Sequence, residues 1–161
     1  MGTYCDLYNS PVGQFLLEAS DRGILSCDFI DDMVDRPSSY LPNIHTIRAA
    51  EWLDAYFSKQ PLPKLDYDLS GTDFQLKVWD TIDQIPYGQT ISYNDIVKNI
   101  PGTSARAVGT ATGRNPLAII IPCHRVIGSD GKLHGYSGGI KRKIWLLAFE
   151  KEDSLFLPDV Q

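Results

Sequence analysis

The stretch that decides the fold runs Ser92-Tyr93-Asn94-Asp95-Ile96-Val97-Lys98-Asn99-Ile100-Pro101-Gly102-Thr103-Ser104-Ala105-Arg106-Ala107-Val108-Gly109-Thr110-Ala111-Thr112-Gly113. Ser92 offers a side-chain oxygen to the open N–H groups of a first helical turn, so it predicts a short helix through about Asn99. Pro101-Gly102 breaks that helix, because proline has no N–H to donate and glycine tolerates the turn. Ser104 then caps a second helix to about Gly113. Two short helices around a tight Pro-Gly turn have the pattern of a helix-turn-helix.

Upstream, Thr72 with Gln75 three residues on forms a capping box. Phe74, Val78, Ile82 and Ile85 give the helix that follows its apolar stripe, and Pro86-Tyr87-Gly88 ends it. Downstream, Ile119 to Ile121 is a short apolar run leading into Pro122-Cys123. A last helix is expected from Ile140 to about Phe149, after Gly138-Gly139. The beginning of the chain reads differently. Tyr4 to Leu7, Phe15 to Ala19 and Ile24 to Ile30 are short strands separated by Ser10-Pro11-Val12-Gly13 and Ser20-Asp21-Arg22-Gly23. Cys27 shares strand parity with Leu25 and Phe29, which makes it a core cysteine. Residues 31–43 read as a loop. Ala49, Trp52, Leu53, Tyr56 and Phe57 then lie on one face of a helix. Residues 58–72 read as a linker. The expected fold class is α+β, in two domains, 1–71 and 72–161.

The chain has 161 residues, 43% of them hydrophobic, enough for a core. No apolar run approaches ~18 residues, so no membrane span is expected, and the N-terminus shows no signal-peptide pattern. Cys5, Cys27 and Cys123 are odd in number and widely spaced, which points to a reducing, cytoplasmic setting rather than a disulfide framework. Net charge is −5, but it is unevenly spread. Residues 1–85 hold 6 Lys/Arg against 14 Asp/Glu, a net −8; residues 86–161 hold 9 against 6, a net +3. Only the second part has the sign that phosphate contact needs.

Ile121-Pro122-Cys123-His124-Arg125-Val126 carries the chemistry. A free thiol titrates near ~8.5, so only a few per cent is thiolate at neutral pH. A cysteine beside a histidine and an arginine sits in a positive field that lowers that value. Histidine takes the proton, and a carboxylate holds the imidazole in the right tautomer. Neighbours in an extended segment point to opposite faces, so Cys123 and His124 cannot easily hydrogen-bond directly, and a bridging water is the natural relay. Zinc is not expected, because no Cys-x-x-Cys or His-x-x-x-His spacing occurs. In the helix-turn-helix, Ala105, Ala107, Gly109, Thr110, Ala111 and Thr112 offer few long side chains to read base edges. Small residues do let a helix approach a minor groove, and Arg106 is the single long side chain near the helix start.

From about Thr72 to Glu150 the chain resembles the O6-alkylguanine-DNA alkyltransferases. The resemblance rests on Phe74-Gln75 with Val78-Trp79, Ile85-Pro86-Tyr87-Gly88 with Thr90, Ser92-Tyr93, and Arg106-Ala107-Val108-Gly109. It continues through Gly113-Arg114-Asn115-Pro116, the Pro122-Cys123-His124-Arg125-Val126 box and Tyr136-Ser137-Gly138-Gly139, in the family's order. The first ~70 residues are similar mainly in the Ser-Pro-x-Gly turn. The resemblance implies a small ribonuclease-H-like α/β domain followed by a mostly helical, winged-helix-like domain. It implies irreversible, single-turnover transfer of a methyl or larger alkyl group from O6-alkylguanine in double-stranded DNA to Cys123, with O4-alkylthymine as a second candidate substrate. No cofactor is implied, and the protein is expected to act as a monomer.

The same resemblance assigns roles. His124 is the general base acting through water, Glu150 orients it, and Asn115 ties the helix-turn-helix to the cysteine loop. Tyr93 meets the flipped base and its phosphate, and Tyr136 and Ser137 close the pocket. The Cys123 and Val126 carbonyls receive the guanine amine. Arg106 fills the gap left by the extruded nucleotide. Ser92, Ala105, Ala107, Gly109 and Arg114 belong to the DNA-facing set, and Lys98 and Lys132 are further candidate phosphate contacts. The family often has histidine before the glutamate where this chain has Phe149. His134, two residues before Tyr136, is a candidate gate against bulky alkyl groups. Two other readings stay open: a lesion-binding protein without catalysis, which would lack the acceptor cysteine, and a cysteine hydrolase using Cys123, His124 and Glu150, which would need an oxyanion hole.

Overall fold

A computed structural model describes residues 3–32, 37–133 and 135–151. The chain divides into two units: Met1–Ser70 with Pro116–Ile120, and Gly71–Asn115 with Ile121–Gln161.

The first unit is an antiparallel meander of β1 (Tyr4–Ser10), β2 (Gly13–Ala19) and β3 (Ile24–Phe29), in that order. The β1–β2 pairing runs to Ser10 opposite Gly13, so the Pro-Val turn between them has only two residues. The Ser10 hydroxyl donates to the Gly13 carbonyl at 2.6 Å and accepts from the Val12 N–H at 3.2 Å, which closes the turn. β3 ends one residue before the expected Ile30, where a 3-10 turn takes over (Ile30–Asp32).

The outer edge of β3 is covered by two distant segments. Ile24 exchanges backbone hydrogen bonds with Asp66 and Asp68, and Cys27 with Pro116 and Ala118. An open strand edge would template aggregation, and both segments remove that liability. The stretch read as a linker therefore contributes a β-bridge, Ile24 with Tyr67. Gly23 is required beside it, since a Cβ there would stand 2.5 Å from the Asp66 carbonyl oxygen.

α1 (Ile44–Phe57) packs on the sheet through Ala49, Trp52, Leu53 and Tyr56, with Trp52 stacked on Tyr56 at 5.7 Å. It starts five residues before the apolar stripe, because Asn43 caps it. The Asn43 side chain accepts from the His45 and Thr46 N–H groups, and Thr46 answers from the other side.

The second unit is helical. α2 (Asp73–Asp83) starts at the expected Thr72–Gln75 box, and its Trp79 indole N–H donates to the Ala111 carbonyl at 2.9 Å. α3 (Tyr93–Asn99) and α4 (Ala105–Gly113) form the helix-turn-helix, capped by Ser92 and Ser104. β4 (Ile91–Ser92) pairs in parallel with β5 (Val126–Ile127), which ties the start of α3 to the residues that follow Cys123. α5 (Ile140–Glu150) completes the unit, burying Lys143, Trp145, Leu146, Phe149 and Glu150. The mixed α+β class, with a small N-terminal sheet and a helical C-terminal part, is as expected. Among the described residues no helix is long and apolar enough to cross a membrane.

Candidate functional site around Cys123

Cys123–Arg125 form a single 3-10 turn with Pro122 as its cap residue. This corrects the extended segment expected from the sequence. Pro122 holds φ at −80°, the Arg125 N–H donates back to the Pro122 carbonyl at 2.9 Å, and the Val126 N–H donates to the Cys123 carbonyl. The three side chains fan out around one turn instead of alternating between faces, and all three are buried.

His124 and Arg125 both turn to Glu150, the last residue of α5. His124 Nε2 lies 2.6 Å from Glu150 Oε2, while Arg125 grips the same carboxylate through Nε at 2.7 Å and Nη2 at 3.0 Å. The remaining arginine nitrogen, Nη1, donates to the Ile85 carbonyl at 2.8 Å, and the guanidinium lies over the Tyr87 ring at 5.6 Å. The Gly88 N–H reaches Glu150 Oε1 at 3.3 Å, from a backbone with φ of +77° that a side chain would strain. The Ile85-Pro86-Tyr87-Gly88 motif thus has a physical task, which is to seat the arginine–glutamate pair.

Burial alone would push the Glu150 carboxyl up. The hydrogen bonds of His124 and Arg125, the Arg125 charge and, once the ring is protonated in acid, the His124 charge outweigh it and hold the carboxyl at about 2. Burial pushes the His124 imidazole down, aided by the positive charges of Arg125 and Lys143 and opposed by Glu150. The ring is therefore neutral at physiological pH, with Nε2–H donating to the carboxylate. That tautomer leaves Nδ1 as a bare lone pair. Nδ1 is buried and has no hydrogen-bond partner in the protein. The imidazole makes no hydrogen bond to the thiol.

Burial raises the Cys123 thiol above its ordinary range. An Asn115 hydrogen bond, the Lys143 ammonium and the backbone N–H groups of Cys123 and His124 pull the other way. The positive field expected from the neighbouring arginine is corrected here: Arg125 is neutralised by Glu150, and the cation acting on the sulfur is Lys143, from α5. Sequence reading missed Lys143. Its signal was a charged residue on the buried stripe it shares with Leu146 and Glu150, three and seven residues on. Asn115 also donates from Nδ2 to the Ile121 carbonyl at 2.7 Å, clamping together the ends of the 116–120 excursion.

Tyr93 opens α3, and the charge of Cys123 acts on its hydroxyl, which burial pushes up first. It lines a cavity of about 590 Å³ with Arg106, Gly109 and the loop residues Gly128, Ser129, Asp130 and Gly135. Arg106 and Ala105 are exposed, Ala107 and Gly109 half-buried. Arg106 also borders a second concavity of about 440 Å³, between the start of α2 and α4. Ser92 and Arg114 stand at the cap positions of α3 and α4. The Val126 carbonyl accepts from Lys143 Nζ at 2.7 Å, which leaves one lone pair for another donor. The Tyr136 ring meets the His124 ring edge-on at 6.4 Å, and Ser137 is exposed beside it. Phe149 stacks on Trp145 at 5.1 Å. The gate expected at His134 lies outside the described residues. Among the described residues no cluster of three or more metal-ligating side chains occurs.

A helix-turn-helix beside a buried cysteine with a buried histidine next to it in the chain defines a class of protein that joins a nucleic-acid-binding motif to thiol chemistry. Residues 3–64 match the ribonuclease-like domain of 6-O-methylguanine DNA methyltransferase, and residues 73–152 match its DNA binding domain. The chain belongs to this methyltransferase family. It is 45% identical over 156 residues to the methylated-DNA--protein-cysteine methyltransferase of Methanosarcina barkeri, covering 93% of this chain and 98% of that one. Its identity to the protein of the same name from Mycobacterium leprae is 42% over 158 residues, 94% of each chain. Among solved structures, Mycobacterium tuberculosis O6-methylguanine methyltransferase superposes with a TM-score of 0.82 at 39% identity, covering 99% of this chain and 97% of that one. Mycobacterium tuberculosis OGT in complex with DNA gives a TM-score of 0.79 at 43% identity over 91% of each chain.

Proposed function

We propose that this chain repairs alkylated DNA by moving the alkyl group of O6-alkylguanine onto its own Cys123, once per molecule. The observation that carries the reading is the Nδ1 lone pair of His124, buried and unpartnered, on a ring whose other nitrogen is held by Glu150. A base so placed accepts the thiol proton, through a water because no direct contact joins the two groups. The thiolate attacks the alkyl carbon. The C–S bond forms as the C–O6 bond breaks, the electron pair leaves with the guanine oxygen, and the proton on His124 returns to the guanine. Nothing in the site regenerates the thiol from the thioether, so the transfer ends the protein's activity. No cofactor enters the scheme.

DNA is the partner the relatives and the helix-turn-helix support. The alkylated oxygen lies inside a duplex, and in this reading the nucleotide is flipped out to reach the sulfur. Arg106 takes its place in the stack. α4 lies in the minor groove, where Ala105, Ala107 and Gly109 permit close approach and Ser92 and Arg114 meet the backbone. The flipped base enters beside Tyr93, under Tyr136 and Ser137, with its amine on the Cys123 and Val126 carbonyls. Asn115 holds the cysteine loop. Every reacting group comes from one chain, which suits a monomer, and a working thiol suits a reducing compartment such as the cytoplasm.

The test is intact-protein and peptide mass spectrometry after incubation with a duplex carrying O6-methylguanine. One methyl on the Cys123 peptide is expected. No adduct, or an adduct at Cys5 or Cys27, overturns the assignment.

A further inference from the structure

We propose that Ile119 is a positioning residue for this transfer: its strained γ-turn, pinned by a buried side chain, fixes where the turn that carries Cys123 begins. The inference rests on Cys123 being the acceptor, and it gives a task to a backbone conformation that costs the fold stability.

Among the described residues, two that are not glycine have positive φ, Lys59 and Ile119. Lys59 follows α1, where one left-handed residue is an ordinary way to end a helix, and the Gln60 N–H closes that cap on the Ala55 carbonyl at 2.9 Å. Ile119 ends no helix. Its φ is +69°, and across it the Ile120 N–H donates to the Ala118 carbonyl at 2.8 Å. A hydrogen bond that spans one residue of positive φ makes the γ-turn of the rare, strained hand. A β-branched residue is poorly suited to it, because its Cβ crowds the backbone, whereas glycine takes the same φ freely. Two things hold Ile119 there. Its side chain is fully buried, and Pro116 and Ala118 just before it are bonded to Cys27 of β3.

Strain of this kind persists where the surroundings over-determine it, and it collects at functional sites. Shortly after Ile119 the chain folds back again. The Cys123 N–H donates to the Ile121 carbonyl at 2.8 Å around Pro122, whose φ of −80° and ψ of 63° give the common, unstrained hand of the same turn. The Ile121 carbonyl also accepts Asn115 Nδ2 at 2.7 Å. Both bonds depend on where that carbonyl points, and the Ile119 turn sets it. The 3-10 turn that presents the thiol then starts at Cys123. A glycine at 119 would relieve the strain and let the segment pivot.

Ile119→Ala and Ile119→Gly both give up the buried side chain, and only glycine relieves the backbone. In an ordinary buried segment glycine is the less stable of the two. In the full chain Ile119→Gly should instead have the higher urea midpoint, because alanine is strained at positive φ. It should nevertheless transfer methyl to Cys123 more slowly than Ile119→Ala, by roughly tenfold or more, in single turnover on saturating O6-methylguanine duplex, with duplex affinity unchanged. Ile119→Val keeps the strained backbone and most of the side chain, and should stay within a few-fold of the parent. A merely structural role would make rate follow stability. A glycine variant less stable than the alanine one, or as fast, therefore overturns the proposal. If neither variant folds, the parent labelled at isoleucine decides by NMR. Its Ile119 amide-to-α-proton NOE should have the intensity of positive φ and keep it with duplex bound, and loss of that intensity in either state overturns the proposal. A parent that accepts no methyl at all sinks the repair reading instead, while the stability order of the variants still reports the turn, so the two failures are distinguishable.

Discussion

Replacing Glu150 with glutamine removes one negative charge from a site where three partners depend on it. The side chain is 1% exposed, with His124 Nε2 at 2.6 Å and the Arg125 fork at 2.7 and 3.0 Å. In the fold the carboxyl sits at about 2 against an ordinary 4.5, and each pH unit is worth ~1.4 kcal/mol, so about 3 kcal/mol is the upper bound on what these interactions contribute, part of it present only once His124 is protonated. Removing one partner of a buried ion pair costs roughly 3–5 kcal/mol, which meets that bound at its lower end. The folded value is depressed, so the contribution is fully present above about 4.5 and is lost as pH falls toward about 2. Burial also depresses His124, and the unfolded chain takes up that proton first, so the parent already weakens below about 6.5. Urea unfolding followed by tryptophan fluorescence, with Trp79 and Trp145 reporting from the same unit, should show Glu150→Gln weaker than the parent by as much as about 3 kcal/mol at pH 7. The gap should narrow steadily from about pH 4.5 downward. A gap under about 1 kcal/mol at pH 7, or one undiminished near pH 2.5, would mean that the Glu150 charge does not hold this cluster together.

Arg106→Ala should lose far more on a duplex than on free O6-alkylguanine, because the arginine is assigned to holding the flipped state; equal losses in single-turnover rates would end that division of labour. Asn115→Ala should slow transfer about ten- to a hundredfold, the worth of a hydrogen bond to a charged group, while DNA binding measured by anisotropy stays within a few-fold; a parent-like rate would remove Asn115 from the site. Binding to undamaged duplex should weaken with salt at a log-log slope of about −2 to −4, since Lys98, Arg106, Arg114 and Lys132 give only a few phosphate contacts; a slope near zero would mean this surface does not face DNA.

Local signals were legible in the sequence and long-range ones were not. Thr72, Ser92 and Ser104 cap helices within three residues of themselves, so the helix-turn-helix follows from neighbouring residues alone. Asn43 caps α1 by the same mechanism, but the first turn carries Ile44 and Ile47 outward, so the apolar stripe began too late to show it. The pairing of Cys27 with Pro116 and Ala118 spans about ninety residues and leaves no local trace. At the site, adjacency suggested that Arg125 would charge the thiol's surroundings. One 3-10 turn sends it to Glu150 instead, and the cation that acts on the sulfur arrives from α5. The Ile85–Gly88 motif could be recognised as a pattern, but its purpose appears only where its carbonyl, ring and N–H meet the arginine–glutamate pair.

As proposed, the chain is a reagent consumed by its own reaction. A fixed amount of reduced protein, incubated with excess duplex carrying labelled O6-methylguanine, should take up label to a plateau of one methyl per chain, and Cys123→Ser should take up none while still binding the duplex. Demethylated guanine accumulating beyond one equivalent would mean that the thiol is regenerated and that the site turns over as a hydrolase. No demethylation despite tight binding would mean that the chain only marks the lesion.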